Sequence, residues 1–282
     1  MRYKTKKAYI LRILKHIVLC IAVFLTALPF ISMLGTAFKE YTVAMSSTSL
    51  IPMSPDEFSV QSFKDVIFVT DFMKKMRNSF VVTIATMGIC IILASCAGYA
   101  ISRFRGRYFR TYSVFLLIIQ MFPTMLLLIP LYRIFAGTGL LNNLLSVILT
   151  YTATNIAFSI WMLKGFFDTI PRELEQAAMV DGCSRLHAYV YIILPLVLPG
   201  ITTVAIFTFI NTWNEYTFAS VFLRRETIMT MTVGLQRFVQ QFNSDWTLLM
   251  AASTIATIPA LIFLFFAQKY LVEGMTAGAV KG

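Results

Sequence analysis

The sequence is short of charge. Of its 282 residues, 13% are Asp, Glu, Lys or Arg, about half the roughly 25% of an ordinary soluble domain. A soluble globule with so few charges lacks the polar surface to cover itself, which excludes an ordinary cytosolic enzyme. Histidine is nearly absent. His16 and His187 stand far apart and no His-Glu-x-x-His pair occurs, so no metal site is expected. The four cysteines make no disulfide framework: Cys20, Cys90 and Cys96 lie inside apolar runs and Cys183 stands alone in a polar stretch. There is no Gly-x-x-x-x-Gly-Lys-Ser/Thr loop, so the chain has no phosphate loop for ATP. No Gly-x-Ser-x-Gly and no Cys/His pair marks a hydrolase. The chain is expected to have neither a catalytic residue nor a cofactor.

What is present is apolar residues. They make up 58% of the chain, and the mean hydropathy is +0.75. With about 20 residues per span and a loop after each, this length holds about six spans. Six long uncharged runs answer to that number, near 14–38, 80–101, 111–132, 144–163, 189–214 and 246–268. Within hydrocarbon every backbone polar group must be bonded inside its own segment, so the runs are expected to be helices. They do not alternate as barrel strands do. The expected fold is therefore all-α, a polytopic membrane protein forming one transmembrane domain over 1–282. The basic N-terminus followed by an apolar run looks like a signal peptide. The uncharged run 17–38 is too long for one, and Phe38-Lys39-Glu40 is a poor cleavage site, so this reads as a retained first span.

The net charge of +11 would suggest nucleic acid in a soluble protein. Here the basic residues orient the chain and no nucleic-acid partner is expected. With the N-terminus inside, six lie in 1–16, four in 102–110, three in 164–188 and two in 268–282, against nine on the other side. The excess, and above all the crowding of Arg103, Arg105, Arg107 and Arg110 in one turn, follows the positive-inside rule. Both termini are then cytoplasmic. In the outer loop 39–79, Ser46–Pro55 reads as irregular and Phe63–Arg77 as an amphipathic helix. A second outer loop, 220–245, carries Arg224, Arg225, Arg237 and the stretch Gln240-Gln241-Phe242-Asn243.

The inner loop before the fifth span carries the strongest pattern. Pro171 suits a first helical turn, with Asp168 or Thr169 as a cap. Glu173 and Glu175 sit near the positive end of that helix. Gly182 ends it with a left-handed backbone, and Ser184 caps a second short helix. The result is a cytoplasmic hairpin over 168–188, in which Ala177 and Ala178 form a flat patch able to enter a groove on another protein. A hairpin that merely connects two spans is the plain alternative.

The order of residues resembles the coupling loop of binding-protein-dependent ABC importer permeases. That pattern is Glu-Ala-Ala, three residues, Gly, nine residues, then Ile-x-Leu-Pro. Ala177, Ala178, Gly182, Ile192, Leu194 and Pro195 stand at those spacings, while Gln176 replaces the usual Glu. The likeness extends along the chain. Cys96-Ala97-Gly98-Tyr99-Ala100 leading to Arg103-Phe104-Arg105-Gly106 is similar to the end of the second span in the carbohydrate branch. Met121-Phe122-Pro123, Ile129-Pro130-Leu131-Tyr132 and Gly139-Leu140-Leu141-Asn142 are similar to the third span and the turn after it. Trp213-Asn214-Glu215 is similar to the end of the fifth. The final Met275–Gly282 looks like the tail of the smaller membrane subunit of maltose/maltodextrin importers, which reaches between two ATPase subunits.

The resemblance implies a type I ABC importer permease architecture and a subunit of an ATP-driven oligosaccharide importer of the bacterial cytoplasmic membrane. It implies a second permease subunit as heterodimer partner, two ATPase subunits and an extracytoplasmic solute-binding protein. It implies ATPase coupling through Gln176, Ala177, Ala178, Asp181, Gly182, Leu194 and Pro195, and ATPase contact by Thr276, Gly278 and Lys281. A frayed terminus is the plain alternative for that tail. Maltose or maltodextrin is the sugar implied first, with galacto-oligosaccharides close behind.

Polar residues within spans default to function. Thr208, Asn211 and Glu215, at i, i+3 and i+7, share a helix face, with Trp213 and Asn214 beside them. Tyr151, Asn155 and Ser159 follow at i, i+4 and i+8. These are the candidate path for a hydroxylated solute, with Trp213 and Tyr216 as rings to stack on sugar faces. Interhelical hydrogen bonds and an aromatic belt explain the same residues without a path. An ion-coupled secondary transporter is the rival function. It calls for paired inward carboxylates and a repeat between halves; only Glu215 answers, and no repeat is seen.

Overall fold

The computed structural model describes residues 6–104, 106–241 and 245–279. Among them it holds no strand, only one isolated bridge between Lys39 and Phe58. The helices are α1 (Lys6–Ala37), α2 (Tyr41–Ser46), α3 (Gln61–Lys64), α4 (Phe72–Arg103), α5 (Arg107–Gln120), α6 (Leu128–Gly137), α7 (Leu144–Thr169), α8 (Glu173–Val180), α9 (Arg185–Ala188), α10 (Leu194–Leu196), α11 (Leu198–Trp213), α12 (Thr217–Phe222), α13 (Met231–Gln241) and α14 (Trp246–Ala279). Four stretches are long and apolar enough to cross a membrane: Leu11–Ala37, Phe72–Arg103, Leu144–Thr169 and Trp246–Lys269. Two bent pairs bring the total to six when each counts as one span. One joins Arg107–Gln120 to Thr124–Gly137 at 89°, the other Arg185–Leu196 to Leu198–Trp213 at 71°.

The third and fifth spans are thus broken. From the sequence, Pro123 and Pro130 in the third, Pro195 and Pro199 in the fifth and Pro259 in the sixth are expected to bend helices, and the breaks fall beside Pro123 and between Pro195 and Pro199. Proline is the cause. Pro123 has no N–H and disfavours a helical residue before it, so α5 ends and the chain restarts with a 3₁₀ turn at Thr124–Leu127. The hairpin helix α9 runs through a π turn, Tyr189–Ile193, into α10. Val197, between Pro195 and Pro199, leaves helical geometry with ψ near 2°. A second correction concerns the outer loop. The expected helix Phe63–Arg77 is cut in two. α3 and its π turn close at Val69, where the Thr70 N–H bonds Asp65 O at 2.9 Å, and α4 starts at Phe72. No breaker separates Phe72 from the apolar run, so the second span begins well before residue 80.

The chain divides into two compact units. One comprises residues 1–71 and 235–256. The most apolar window of α1 buries none of its residues, and burial begins only at Gly35 and Ala37 near its end. The segment after α1 is tied down locally: Glu40 N–H bonds Glu57 O at 3.0 Å, Ser59 N–H bonds Phe38 O at 2.7 Å, and Phe38 packs on the rings of Phe58 and Phe63. Lys39 is buried, with its ammonium held by Ser49. Residues 47–54 are irregular, as their composition predicts.

The other unit, 72–234 and 257–282, is built on α4, α7 and α11. A Cβ at Gly98 would lie 3.0 Å from Lys164 N, and one at Gly200 would strike the Phe166 ring. Gly98 lets α4 and α7 touch at backbone distance, and Gly200 makes room on α11 for the Phe166 ring of α7. Among the described residues, two cores pack within the unit. Ile101, Ile160, Leu163, Phe167, Tyr189 and Ile193 pack near the hairpin. Val82, Phe135, Val147, Phe218, Phe222 and Met229 pack at the opposite end. There Asn78 Nδ2 donates to Thr227 O and Met229 O, both at 3.0 Å. Asn142 takes a left-handed backbone, φ 58°, and its side chain accepts from the N–H groups of Arg224 and Arg225.

Candidate functional site

Two places in the α4–α7–α11 unit gather the residues singled out in the sequence. The first is the hairpin. α7 runs on to Thr169, so Asp168 and Thr169 belong to its end and do not cap the next helix. Arg172 holds the N-cap position of α8 without a side-chain capping bond. The rest follows local chemistry. Glu173 and Glu175 occupy the first turn of α8. Gly182 turns the chain at φ +91°, a left-handed geometry that glycine adopts without strain. Ser184 Oγ accepts the His187 N–H at 3.2 Å and caps α9. Gln176, Ala177, Asp181, Gly182 and Pro195 are exposed, and Leu194 is half-buried against the core near the hairpin. Ala178 is buried, so it does not join Ala177 in one outward patch. The outward apolar residues are instead Leu174, Met179, Val180, Leu186 and Tyr191, with Val180 86% and Leu186 71% exposed.

Beneath the hairpin lies a charged network that sequence reading missed. Arg103 Nε donates to Glu175 Oε1 at 2.6 Å, and both side chains are about nine-tenths buried. The same guanidinium donates to Phe167 O at 3.0 Å and Ile170 O at 3.3 Å. Those carbonyls lie at the end of α7, where helical partners run out and a cation is favoured. Tyr99 Oη donates to Glu175 Oε2 at 3.3 Å. Arg172 Nη2 donates to Ser102 O at 2.7 Å, and Ser102 Oγ donates to Asp168 Oδ1 at 2.6 Å. Arg185 lies over the Phe104 ring at 5.4 Å.

The second place is a cavity of about 400 Å³ lined by Thr124, Met125, Tyr151, Thr154, Asn155, Asn211, Glu215, Thr217 and Phe218. Its volume is within the roughly 300–1,000 Å³ of small-molecule sites. Its polar groups form a chain. Asn211 Nδ2 donates to Asn155 Oδ1 at 3.1 Å, Asn155 Nδ2 donates to Tyr151 O at 2.8 Å, and Tyr151 Oη donates to Glu215 Oε2. Glu215 also accepts the Phe218 N–H at 2.9 Å and the Ala219 N–H at 3.3 Å, so it caps α12. No basic residue lines the cavity. Amide, hydroxyl and carboxylate groups offer hydrogen bonds to a hydroxylated solute.

Of the candidate path residues, Tyr151, Asn155, Asn211 and Glu215 meet here. Thr208, Trp213 and Asn214 do not line the cavity. Thr208 is fully buried and its hydroxyl lacks a hydrogen-bond partner. Trp213 is buried and stacked on Phe209 at 5.4 Å, so it belongs neither to a sugar platform nor to an exposed belt. Asn214 bonds back to Ile210 O at 2.9 Å. Of the predicted face Thr208, Asn211 and Glu215, the last two meet at the cavity although α11 stops at Trp213 and leaves Glu215 outside the helix, while Thr208 is buried. Ser159 is buried and bonds Asn155 O. Thr124, Thr154 and Thr217 were not foreseen; the break after Pro123 brings Thr124 in. In the tail, Thr276 and Gly278 fall within α14 and Lys281 lies outside the described residues. So do Phe242 and Asn243 of the outer loop. Among the described residues no cluster of His, Cys, Asp and Glu could hold a metal ion.

Known proteins resemble this chain. The inner membrane ABC transporter permease protein YcjP of Escherichia coli (strain K12) is 32% identical over 281 residues, 99% of each chain. The maltodextrin transport system permease protein MdxG of Bacillus subtilis (strain 168) is 32% identical over 94% of this chain and 96% of its own. A crystal structure of a bacterial ABC transporter involved in the import of the acidic polysaccharide alginate contains a chain that superposes with a TM-score of 0.83. It covers 96% of this chain and 99% of that one at 21% identity, a likeness of fold. The family model for binding-protein-dependent transport system inner membrane components matches residues 87–277, which takes in the hairpin, the charged network and the cavity. The chain belongs to that family: it is a multi-pass membrane permease of an ABC transporter, a transport subunit and not an enzyme.

Proposed function

We propose that the chain is one permease subunit of an importer that moves an oligosaccharide across the bacterial cytoplasmic membrane by alternating access. A second permease subunit completes the path. Two ATPase subunits supply the energy, and a solute-binding protein delivers the sugar from outside. Both termini are cytoplasmic. The observation that carries this reading is the hairpin. Its outward apolar side chains, led by Val180 and Leu186, stand on a two-helix turn braced from beneath by buried charge. Exposed apolar surface outside the spans marks a docking site, and here the partner is an ATPase subunit. Gln176, Ala177, Asp181 and Gly182 border that surface. Thr276, Gly278 and Lys281 of the tail contribute a second ATPase contact. ATP-driven closure moves the hairpin and tilts the spans, and the solute passes by Tyr151, Asn155, Asn211 and Glu215.

Maltodextrin is the first sugar to test, since a relative along nearly the whole chain is named for it. Galacto-oligosaccharides come second. The ion-coupled alternative gains nothing from the cavity, where Glu215 is the single carboxylate among the lining residues. The test uses the hairpin surface. Leu186→Asp with Val180→Asp places charge at exposed positions, where effects on folding stay within about 0.5 kcal/mol. The doubly substituted permease is expected to insert normally but to lose co-purifying ATPase subunits and maltodextrin uptake. Full retention of the ATPase subunits would overturn the docking role.

A further inference from the structure

The hairpin is joined to the spans in two unlike ways. Toward α4 and α7 the join is dense and buried. The Arg103 guanidinium sits between Glu175 of α8 and the carbonyls of Phe167 and Ile170 at the end of α7. Tyr99, one turn earlier on α4, holds the other Glu175 oxygen. Arg172 reaches back to Ser102 O, and Ser102 reaches on to Asp168. Arg185, from the second hairpin helix, covers Phe104. α4 and α7 are themselves in backbone contact at Gly98. Toward α11 the join is a π turn, a three-residue helix and a 71° bend at Val197 between two prolines. Helices kink at such places because the backbone ladder is interrupted.

We propose that Arg103 is a positioning residue: locked between Glu175 and the end of α7, it makes the hairpin, α4 and α7 one rigid body and leaves the Val197 bend as the hinge to α11. A guanidinium suits the task. Its planar fork donates in fixed directions to several acceptors at once, which an ammonium cannot do. Force applied to α8 is then delivered to α4 and α7 without first bending the hairpin. The inference rests on the reading of the hairpin as the ATPase dock, and the experiment separates the two.

Spin labels are placed at exposed sites in the whole transporter, purified with its associated subunits through a tag on this chain in a background free of other cysteines. One pair, Glu173 with Ile92, spans hairpin and α4; the other, Glu173 with Ile210, spans hairpin and α11. Glu173 is exposed in the first turn of α8 and lies outside the docking residues. On addition of ATP the first distance is expected to hold while the second shifts. Arg103→Gln with Glu175→Gln removes both charges together, so no lone charge is left buried. In that variant the Glu173–Ile92 distribution broadens, and Arg103→Lys alone, which keeps the charge but not the planar fork, broadens it to a smaller extent. A wild-type Glu173–Ile92 distance that shifts as far as the Glu173–Ile210 distance overturns the proposal, as does an unbroadened distribution in the double variant. If neither wild-type distance responds although ATP is hydrolysed, the docking reading has failed. The joint is then decided by the nucleotide-free double variant, where broadening supports it and an unchanged peak overturns it.

Discussion

Two glutamates in one unit show how the same side chain is put to opposite use. Glu175 and Glu215 each take a hydrogen bond from a tyrosine, Tyr99 in one case and Tyr151 in the other. Glu175 is buried and faces a full countercharge on Arg103. Glu215 is half-buried, accepts two further bonds from backbone N–H groups, and borders a cavity without a basic residue. At Glu175 the charge is neutralised and geometry is what remains: a carboxylate and a guanidinium fix three segments relative to one another. At Glu215 the charge is anchored by dipoles and left beside open space. Buried charge with a partner makes a joint, while charge held by neutral donors at a cavity makes a surface for polar ligands and water.

The sharpest way to break this comparison is to remove one partner of the joint. Arg103→Met leaves Glu175 buried without a countercharge, a change that costs about 3–5 kcal/mol at such sites. The purified transporter is expected to unfold at a much lower temperature, and the second change Glu175→Met is expected to restore most of the loss, because two apolar groups need no pairing. A single substitution as mild as a surface change would mean that water reaches Glu175 and that the two glutamates are alike.

A smaller effect is expected at the cavity. Tyr151→Phe removes the phenolic donor from Glu215 but leaves the N–H groups of Phe218 and Ala219 in place. Hydrogen bonds to charged groups contribute about 1.5–3 kcal/mol. The cavity gives Glu215 access to water, so the loss should fall at the lower end of that range. Thermal unfolding measures the stability term, and maltodextrin uptake at saturating concentration reads the effect on the path. A loss as large as that of Arg103→Met would show that Glu215 is sealed from water and that the cavity is not a polar surface.

The two regions were unequally legible from the sequence. Gly182 and Ser184 act through their own neighbours, so spacing alone located the turn and the cap of the hairpin. The apolar runs located the spans, because length in hydrocarbon is a local property. The prolines marked where helices could bend but not how far: the chain breaks beside Pro123 and between Pro195 and Pro199, while Pro259 stays inside α14, and what packs beside a proline decides between them. The Arg103–Glu175 pair joins residues far apart in sequence, and each already had a sufficient local explanation. Arg103 read as a marker of the cytoplasmic side, Glu175 as a charge at a helix N-terminus. At the cavity the polar residues themselves drew attention, but their grouping depended on α11 ending at Trp213. Thr208 and Trp213, both inside α11, face the core, which the spacing of polar residues alone did not reveal.

The last contrast lies inside the charged network itself. Lys164 and Asp168 pair at i, i+4 on α7, with side chains 28% and 43% exposed, a few residues from the buried Arg103–Glu175 pair. Water screens such a pair, and holding two flexible side chains together offsets most of the attraction. Asp168 also keeps Ser102 as a donor, so it is not orphaned when its lysine is lost. Lys164→Gln is therefore expected to cost no more than about 0.5 kcal/mol, with further weakening of even that effect in high salt. Thermal unfolding at low and high ionic strength checks both. A cost approaching that of Arg103→Met, insensitive to salt, would mean that Lys164 and Asp168 belong to the joint and that burial, rather than charge pairing as such, has been assigned to the wrong pair.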